Sequence, residues 1–518
     1  MTAIPHHYNL GNLLAETLTR HSTRPALRYA ESDHSFGDLG TWAASLATLL
    51  LGKGLSRGDV IAIGHDKHPL SYALMIASLR LGIAYVNFDV CSPIARTKRI
   101  LEVSAPSLLF YDDATYREEM TELAGAQGCE LILLETTSLP ETSDEDLKRQ
   151  QECCRLVDGS TIAYIMFTSG STGIPKGVAV THENLLHFID WGRECFDVTE
   201  EDNFSNLSPM YFDNSVFDFY VGLFNGASLS PVHRGLLTKP YDLVAYVSAR
   251  NCTIWFSVPS ALMYLMAVKA IGPGALENLR AIIFGGEGYP KVELKKLYDR
   301  FEKQASLVNV YGPTECTCIC SAHTLSPVDF EDMEGLPTLG RLNKNFDFVI
   351  LDDAGDEAAE GELCLIGPNV AAGYFNDLER TGAAFHTLTD PTRYMKRMYR
   401  TGDLVREDDG QLHFIGRKDN QIKHMGYRIE LEEIENALVR LTQVDQAAVV
   451  YLRKQAAFGK LIAYVACKNN VEDGVLLKEL GQLVPDYMVP HRLHILPELP
   501  KNANGKVDRQ ALRALSEQ

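Results

Sequence analysis

Residues 160–177 read STIAYIMFTSGSTGIPKG, and this stretch combines an apolar run with a loop of small residues. The apolar run at 161–167 predicts a buried strand. The loop after it is rich in small and hydroxyl side chains, and its candidate phosphate-binding residues are Thr168, Ser169, Gly170, Ser171, Thr172, Gly173 and Lys176. Small residues let backbone N–H groups wrap a polyphosphate, while hydroxyls add donors and the lysine adds a charge. Gly177 follows the lysine where the ordinary P-loop has serine or threonine, so this loop is of another type.

Short apolar runs and helical patterns alternate on both sides of the loop. The predicted strands are residues 60–64, 84–88, 107–111 and 130–134, and a helix is predicted over 69–81. Strand–helix–strand order is typical of a parallel sheet covered by helices. The alternation continues to about residue 330, so the fold class predicted for this part is α/β. Residues 139–153 are polar and charged, and we interpret them as a solvated connection.

The pattern changes after residue 330. Short runs bounded by turns predict a β-rich part, at residues 346–351, 361–366, 398–404 and 411–415. A compact α+β unit is then predicted from a helical pattern that begins at Ile429, runs at 447–452 and 462–467, a helix near 476–483 and a strand near 493–496. The polar stretch 416–420 separates the two parts. We therefore predict a large N-terminal domain over 1–418 and a small C-terminal domain over 419–518.

Composition and charge narrow the possible functions. The 518 residues are 46% apolar and 23% charged, which is ordinary for a globular protein. A formal net charge of −19 argues against non-specific binding to nucleic acid or to anionic lipid. The sequence contains neither an apolar run long enough to span a bilayer nor a secretory leader, so we expect a cytoplasmic protein. Its 11 irregularly spaced cysteines indicate reduced thiols.

Two local patterns could suggest a metal site. Cys316, Cys318 and Cys320 alternate, but they lack the paired spacing and second cluster of a zinc site, so one face of a strand is the favoured interpretation. His182 and His187 flank Glu183 but are five residues apart, so they do not share the helix face that a metalloprotease motif requires.

Further motifs follow in order along the chain. They are FDNSV at 212–216, NVYGPTE at 309–315, GEL at 361–363, YRTGDL at 399–404, GRKD at 416–419 and NGKVDR at 504–509. Together with the phosphate loop, this set resembles the adenylate-forming superfamily. Within it, the chain is similar to the amino-acid adenylation domains of non-ribosomal peptide synthesis and to the stand-alone D-alanine–carrier protein ligases. The resemblance covers almost the whole chain, and one departure is Asn87, where the family usually has proline.

The resemblance implies a reaction in two halves. A substrate carboxylate attacks the α-phosphate of ATP, with Mg²⁺ as the metal and pyrophosphate as the leaving group. The phosphopantetheine thiol of a carrier protein then attacks the acyl adenylate. A mobile lid turns between the steps, about a hinge near Asp419. Nine residues follow Arg509 and a folded domain needs at least about 50, so the carrier is expected to be a separate protein acting in trans.

The family motifs also imply roles for single residues. Lys506 would be the catalytic cation that bridges the carboxylate and the nucleotide. Glu315, beside Thr314, would be the Mg²⁺ ligand, since hard cations bridge carboxylate and phosphate oxygens. Asp403 would accept from the ribose hydroxyls and Arg417 would assist at the nucleotide. The other implied nucleotide-binding residues are Gly286, Glu287, Asn309, Tyr311, Gly312 and Phe414.

A buried carboxylate separates amino-acid activation from fatty-acid activation in this resemblance. Asp213 would pair with the α-ammonium of the substrate, because a buried charge is costly unless it is paired. The other implied pocket residues are Asn214, Phe217, Phe256, Ile283, Gly285, Val310, Cys318 and Ile319. This lining is apolar apart from Asn214, and it resembles pockets that select aliphatic amino acids such as valine, isoleucine or alanine. The chirality stays open, because the D-alanine ligases have a cysteine at the position of Gly285.

Two other functions are compatible with parts of the pattern. One is an acyl or aryl acid–CoA ligase of the same superfamily, which needs no partner for an ammonium group. The other is a non-catalytic, carrier-binding relative, against which the presence of Lys506, Glu315 and Asp403 argues.

Overall fold

The computed structural model describes residues 9–390, 394–455, 458–468, 471–501 and 507–516. Lys506, predicted to be catalytic, lies outside the described residues. The helices are Leu10–Arg20, Phe36–Gly52, Pro69–Leu81, Ile94–Ser104, Arg117–Gln127, Asp144–Arg155, His182–Cys195, Asn214–Val216, Arg234–Leu237, Pro240–Ala249, Pro259–Ala267, Lys291–Phe301, Leu378–Ala384, Leu431–Val439, Asp473–Leu480 and Arg509–Ser516. A π-helical segment, Phe217–Leu223, continues the short helix before it.

One mixed sheet carries the phosphate loop. In spatial order its strands are Gly373–Tyr374, Lys176–Thr181, Ile162–Thr168, Ala84–Phe88, Val60–Gly64, Leu108–Tyr111 and Glu130–Leu133. The pairs from Ile162–Thr168 onward are parallel, as the strand–helix–strand pattern predicts. Ile162–Thr168 pairs antiparallel with Lys176–Thr181, and Thr168 lies opposite Lys176. The phosphate loop is therefore the turn between these two strands.

A second mixed sheet supplies the other wall of the site. In spatial order its strands are Arg341–Leu342, Ser321–Thr324, Ser306–Tyr311, Ala281–Gly285, Ile254–Ser257, Asn203–Asn206, Ser228–Pro231, Pro25–Arg28 and Asp33–Ser35. Its central pairs are parallel, with Phe256 opposite Ile283 and Gly285 opposite Val310. The carboxyl ends of these strands meet at one edge, which is where open α/β sheets bind ligands.

The β-rich part and the C-terminal unit follow in the predicted order. The strands of the β-rich part are Asp347–Leu351, Glu360–Ile366, Tyr394–Asp408 and Phe385–Asp390, with Gln411–Arg417 also paired to Tyr394–Asp408. A hairpin of Gln421–His424 and Tyr427–Glu430 begins the C-terminal unit, which we call the lid. The lid sheet contains Val444–Gln455, Phe458–Cys467 and Arg492–Leu496.

The two faces of the lid sheet carry different elements. On one face, Val449, Ala463 and Val465 pack with Ile434 of helix Leu431–Val439. On the other face, the alternate residues pack with parts of the chain on both sides of Lys506, and these contacts involve Ala448, Val450, Ile462, Tyr464, Leu499, Val507 and Leu512. Since successive strand residues point to opposite faces, the segments that flank Lys506 lie across the sheet from helix Leu431–Val439.

Three local predictions were wrong. Residues 139–153 are not merely a connection, because Ser143 and Asp146 form a capping box that begins helix Asp144–Arg155. Cys316, Cys318 and Cys320 do not form a strand face, since Cys318 has a φ of 73° in the turn before strand Ser321–Thr324. The helical pattern from Ile429 begins too early, because that residue lies in strand Tyr427–Glu430.

Candidate functional site

The phosphate loop is tightly folded. A Cβ atom on Gly170 would lie 2.0 Å from the carbonyl oxygen of Ile174, so the turn requires glycine at this position. The amide of Gly173 closes the turn by donating to the carbonyl of Gly170 over 2.8 Å. The hydroxyl of Thr168 is buried and has no hydrogen-bond partner among the described residues. A buried, unpaired hydroxyl at the mouth of such a loop fits a phosphate oxygen as its partner.

The lid covers this loop and takes up several of its polar groups. The hydroxyl of Ser169 donates to the carbonyl of Arg428 over 2.9 Å, and the amide of Gly170 donates to a carboxylate oxygen of Glu433 over 3.3 Å. The Nζ atom of Lys176 lies 3.6 Å from a carboxylate oxygen of Glu430. Lid carboxylates thus lie where a polyphosphate would accept from the same donors. A triphosphate in the loop requires another lid placement.

The predicted metal ligand, Glu315, is fully buried beneath the lid. One of its oxygens accepts from the Tyr374 hydroxyl and the other from the Arg428 guanidinium, each over 2.8 Å. Burial alone would raise the pKa of Glu315, but the charges of Arg428 and Lys176 outweigh it and hold the pKa at about 2. The carboxylate is therefore ionised at neutral pH. It fits a hard cation only when Arg428 has withdrawn with the lid.

No group of three or more histidine, cysteine or acidic side chains in the described ranges could hold a metal without further ligands. Mg²⁺ commonly binds one or two carboxylates and completes its shell with water and phosphate oxygens. Glu315 alone, beside the phosphate loop, is consistent with that kind of site.

Asp213 lies in the cleft between the phosphate loop and the second sheet. It accepts a hydrogen bond from the Thr314 hydroxyl, and within the described part of the chain it forms no ion pair. Burial raises the pKa of its carboxyl group, an effect that the Thr314 hydroxyl and the charge of Lys423 oppose. A buried carboxylate without a bonded cation is a place for a ligand cation such as an ammonium group.

A second cleft adjoins the first and is built around Asp403. Its carboxylate accepts from the Tyr311 hydroxyl over 2.6 Å and from the Arg417 guanidinium over 2.7 Å. Each carboxylate oxygen has a further lone pair, so the group can still accept from two hydroxyls of a ligand. Asn309 is fixed in the wall because its amide donates to the carbonyl of Thr338 over 2.8 Å. This cleft has the size and the acceptors for a nucleoside.

Most of the predicted site residues line one or both clefts. In the first cleft these are Thr168, Ser169, Asp213, Asn214, Phe256, Gly286, Val310, Tyr311, Gly312, Thr314, Cys318, Ile319, Asp403 and Arg417. In the second they are Gly286, Glu287, Asn309, Val310, Tyr311, Asp403, Phe414 and Arg417. The two clefts share Tyr311, Asp403 and Arg417, so they form one continuous site.

Other predicted residues lie behind this lining. Phe217 and Ile283 are fully buried, and the ring of Phe217 packs edge-on against Phe256 at 5.4 Å between centroids. A Cβ atom on Gly285 would lie 2.4 Å from the carbonyl oxygen of Val310, so this glycine permits close strand packing. These residues shape the cleft through their neighbours. Gly170, Ser171, Gly173 and Lys176 contact the lid, whereas Thr172 is exposed and accepts a hydrogen bond from Arg380 of the N-terminal domain.

Sequence reasoning missed the residues that the lid hairpin brings to the site. Lys423 lines both clefts, and Arg428 lines the first and contacts Glu315. Burial lowers the pKa of Lys423, against the attraction of Asp403. Gly426 donates from its amide to Glu287 over 3.1 Å, which ties the hairpin turn to the second sheet. A signal was present, because the basic residues Lys423 and Arg428 lie four and nine residues after the GRKD motif.

A phosphate loop, a nucleoside-sized cleft beside it and a small lid over both define the class of adenylate-forming enzymes. The chain belongs to the AMP-binding enzyme family, whose model matches residues 14–375, and the model of the AMP-binding enzyme C-terminal domain matches residues 433–506. The family resemblance and the fold class predicted from the sequence are thereby confirmed. Adenylate-forming enzymes use ATP, and Mg²⁺ is its usual partner.

Two curated relatives match over nearly their whole length. The L-proline–[L-prolyl-carrier protein] ligase of Pseudomonas fluorescens is 32% identical over 505 residues, covering 96% of this chain and 97% of the relative. The D-alanine–D-alanyl carrier protein ligase of Bacillus licheniformis is 31% identical, covering 96% of this chain and 99% of the relative. Among solved structures, the Vibrio cholerae adenylation domain AlmE with glycyl-adenosine-5′-phosphate is 25% identical, with a TM-score of 0.83 and coverage of 100% and 99%.

In the described part of the chain, no helix combines the length and the apolar character needed to cross a bilayer.

Proposed function

We propose that this enzyme activates an amino acid with ATP to give aminoacyl-AMP and pyrophosphate, and then transfers the aminoacyl group to the phosphopantetheine thiol of a separate carrier protein. The observation that carries the proposal is the buried carboxylate of Asp213, which has no bonded cation and lies in the same site as Asp403. A carboxylic acid substrate without an ammonium group would leave this charge buried and unpaired. The proposal includes a cytoplasmic location and no nucleic-acid or membrane partner.

In the proposed first half-reaction, the chain's own residues bind and orient both substrates. Asp213 holds the α-ammonium group and Asp403 accepts from the ribose hydroxyls. Thr168 and the backbone amides of the phosphate loop donate to the triphosphate. Lys506 offsets the repulsion between the substrate carboxylate and the phosphate. This role rests on the NGKVDR motif. Glu315 would hold Mg²⁺, which supplies charge neutralisation at the phosphates when it is bound.

In the proposed second half-reaction, the lid hairpin faces the site. The hairpin contacts Ser169 and Lys176, and Glu433 of the following helix contacts Gly170, so the lid occupies the loop that the departing pyrophosphate has vacated. The turn of the hairpin also borders a wide groove between the lid and the N-terminal domain, lined by Met425 and Tyr427 among others. Tyr427 lines both this groove and the first cleft, so a thiol on a flexible arm has a route to the adenylate.

For the amino acid itself, we propose a small or branched, uncharged side chain. The cleft that holds Asp213 is also lined by the apolar side chains of Phe256, Val310 and Ile319, each at most 4% exposed. The names of the relatives indicate proline and D-alanine as their substrates, and glycine occurs in the adenylate bound to AlmE. All of these are small and uncharged, which agrees with the apolar wall. The pairwise preference within this class is expected to be modest, since one methylene is worth about 1–3 kcal/mol.

A pyrophosphate-exchange panel tests the proposed function. We expect incorporation of labelled pyrophosphate into ATP to depend on one or a few small, uncharged amino acids and on Mg²⁺. Amino acids with large charged side chains serve as controls and should be at background. Exchange with an unsubstituted acyl or aryl acid, followed by transfer to coenzyme A, would instead establish the CoA-ligase alternative. Absence of exchange with all L-, D- and β-amino acids tested would exclude the proposal.

The pH dependence of substrate binding gives an independent test. We expect the Michaelis constant for the amino acid to rise as the pH falls, starting above the range where an ordinary aspartate titrates. Burial raises the pKa of Asp213, and once protonated it cannot pair with an ammonium group. Affinity is therefore lost as the pH falls through this pKa, by about tenfold per unit. The Michaelis constant is measured by pyrophosphate exchange between about pH 4 and pH 8. A Michaelis constant that does not change over this range would contradict the pairing of Asp213 with the ammonium group.

A further inference from the structure

The amide of Asn214 is the unusual feature of the amino-acid cleft. Asn214 directly follows Asp213 and lines the same cleft. Its Nδ2 atom is buried and has no hydrogen-bond partner among the described residues. The side-chain nitrogen of Asn214 therefore lies in the cleft wall without a hydrogen bond to the described part of the protein.

The unpaired amide of Asn214 lies in a cleft whose lining is partly apolar. The apolar part of the same cleft includes Phe256, Val310 and Ile319, which are almost fully buried and have no hydrogen-bond acceptor in their side chains. A buried donor without an acceptor raises the free energy of the protein. A purely aliphatic substrate side chain would leave the Asn214 amide in this state, because it has no atom that can accept the hydrogen bond. A substrate oxygen at this point would remove the cost.

We infer that Asn214 selects an amino acid whose short side chain carries one neutral hydrogen-bond acceptor, such as a hydroxyl or carbonyl oxygen, close to the α-carbon. This inference rests on the proposed function and specifies its substrate class. Since Asp213 and Asn214 are adjacent, a substrate held by its ammonium group places only its β- or γ-position near the amide. An anionic side chain is excluded because it would approach the Asp213 carboxylate.

Isosteric substrate pairs test the inference without any change to the protein. Threonine and valine differ by a hydroxyl in place of a methyl group, and serine and 2-aminobutyrate differ in the same way. We expect the wild-type enzyme to prefer the oxygen-bearing member of at least one pair by about 10- to 100-fold in kcat/KM for pyrophosphate exchange, because a site with a buried donor rejects an analogue that lacks the acceptor. A preference for the hydrocarbon member in both pairs would overturn the inference.

Two variants then assign the preference to the amide. Asn214→Leu and Asn214→Ala should reduce the ratio between paired substrates to about threefold or less, through loss of activity on the oxygen-bearing member. Asn225→Ala is the matched control, since Asn225 uses its amide outside the cleft to donate to the carbonyl of Val221 over 2.8 Å. An equal loss on both members of a pair would assign Asn214 to general folding or to the substrate carboxylate and overturn its role in selection.

The outcome separates this inference from the proposed function. If no amino acid supports exchange, the proposed function itself fails. If amino acids support exchange but the paired substrates are used equally by the wild type, the proposed function stands and the inference about Asn214 is wrong. Thermal unfolding of each variant is measured beside its kinetics, and the substrate ratios of the wild type decide the question even if a variant does not fold.

Discussion

Asp213→Ala will lower amino-acid-dependent pyrophosphate exchange by about 100- to 4000-fold. The estimate follows from the cost of leaving one member of a buried ion pair without its partner, about 3–5 kcal/mol, with tenfold for each 1.4 kcal/mol. In the variant the substrate ammonium would enter the cleft without the Asp213 carboxylate to pair with. Asp213→Asn should lose nearly as much, because an amide keeps the size of the side chain and removes its charge.

The deaminated analogue of the active amino acid provides the sharpest comparison. It has the same side chain and carboxylate and lacks the ammonium group, so wild-type enzyme should use it poorly and the variant should use it no worse. Asp190→Ala is the control for an aspartate outside the site, since Asp190 is exposed and pairs with Arg193 over 3.0 Å. If Asp213→Ala reduces the activity on the amino acid and on its analogue by the same factor, Asp213 does not bind the ammonium group.

The parts of the fold that were predictable are those in which local sequence and burial agree. The strands Val60–Gly64 and Ala84–Phe88 are buried on both faces, so they appear in the sequence as apolar runs, the second interrupted only by Asn87. Helix Pro69–Leu81 has proline at its first position and Gly82 at its end, and both are ordinary helix boundaries. The phosphate loop was equally clear, because its small residues follow directly on the buried strand.

Single motifs named the candidate site residues, and most of these line the two clefts, but no motif indicated how the lid meets them. The contact between Glu315 and Arg428 joins residues 113 positions apart, and it exists only in one placement of the lid. No local pattern specifies such a contact. The helix Asp144–Arg155 was missed for a different reason. Its polar composition suggested a solvated connection, although the Ser143 capping box was a sequence signal for a helix start. The burial of Gln150 is visible only in the structure.

The two faces of the lid carry different residues. The hairpin with Arg428 faces the site, whereas the segments that flank Lys506 pack on the far side of the lid sheet. We therefore expect variants on the two faces to affect different half-reactions. Lys506→Ala should remove pyrophosphate exchange. Arg428→Ala should leave exchange within about threefold of wild type and slow transfer to the carrier thiol by about 100-fold or more.

The expected effect of Arg428→Ala follows from the contacts of Glu315. Without the guanidinium, this placement of the lid would cover a fully buried carboxylate whose nearest remaining cation is Lys176. The cost falls on the observed lid placement alone, because Mg²⁺ would neutralise Glu315 when the lid turns and ATP binds. The variant should therefore form the adenylate normally and keep the lid away from the phosphate loop.

Single-turnover experiments separate the two steps. Preformed aminoacyl-AMP is followed as it transfers to a phosphopantetheinylated carrier, while exchange is measured on the same preparation. Hydrogen exchange of the backbone amide of Gly170 reports the lid directly, and it should be faster in Arg428→Ala because the contact with Glu433 is lost. Arg440→Ala, an exposed lid residue outside the site, serves as the control. Equal loss of exchange and transfer in Arg428→Ala would show that this arginine belongs to a step common to both half-reactions, and the assignment of the two lid faces would fail.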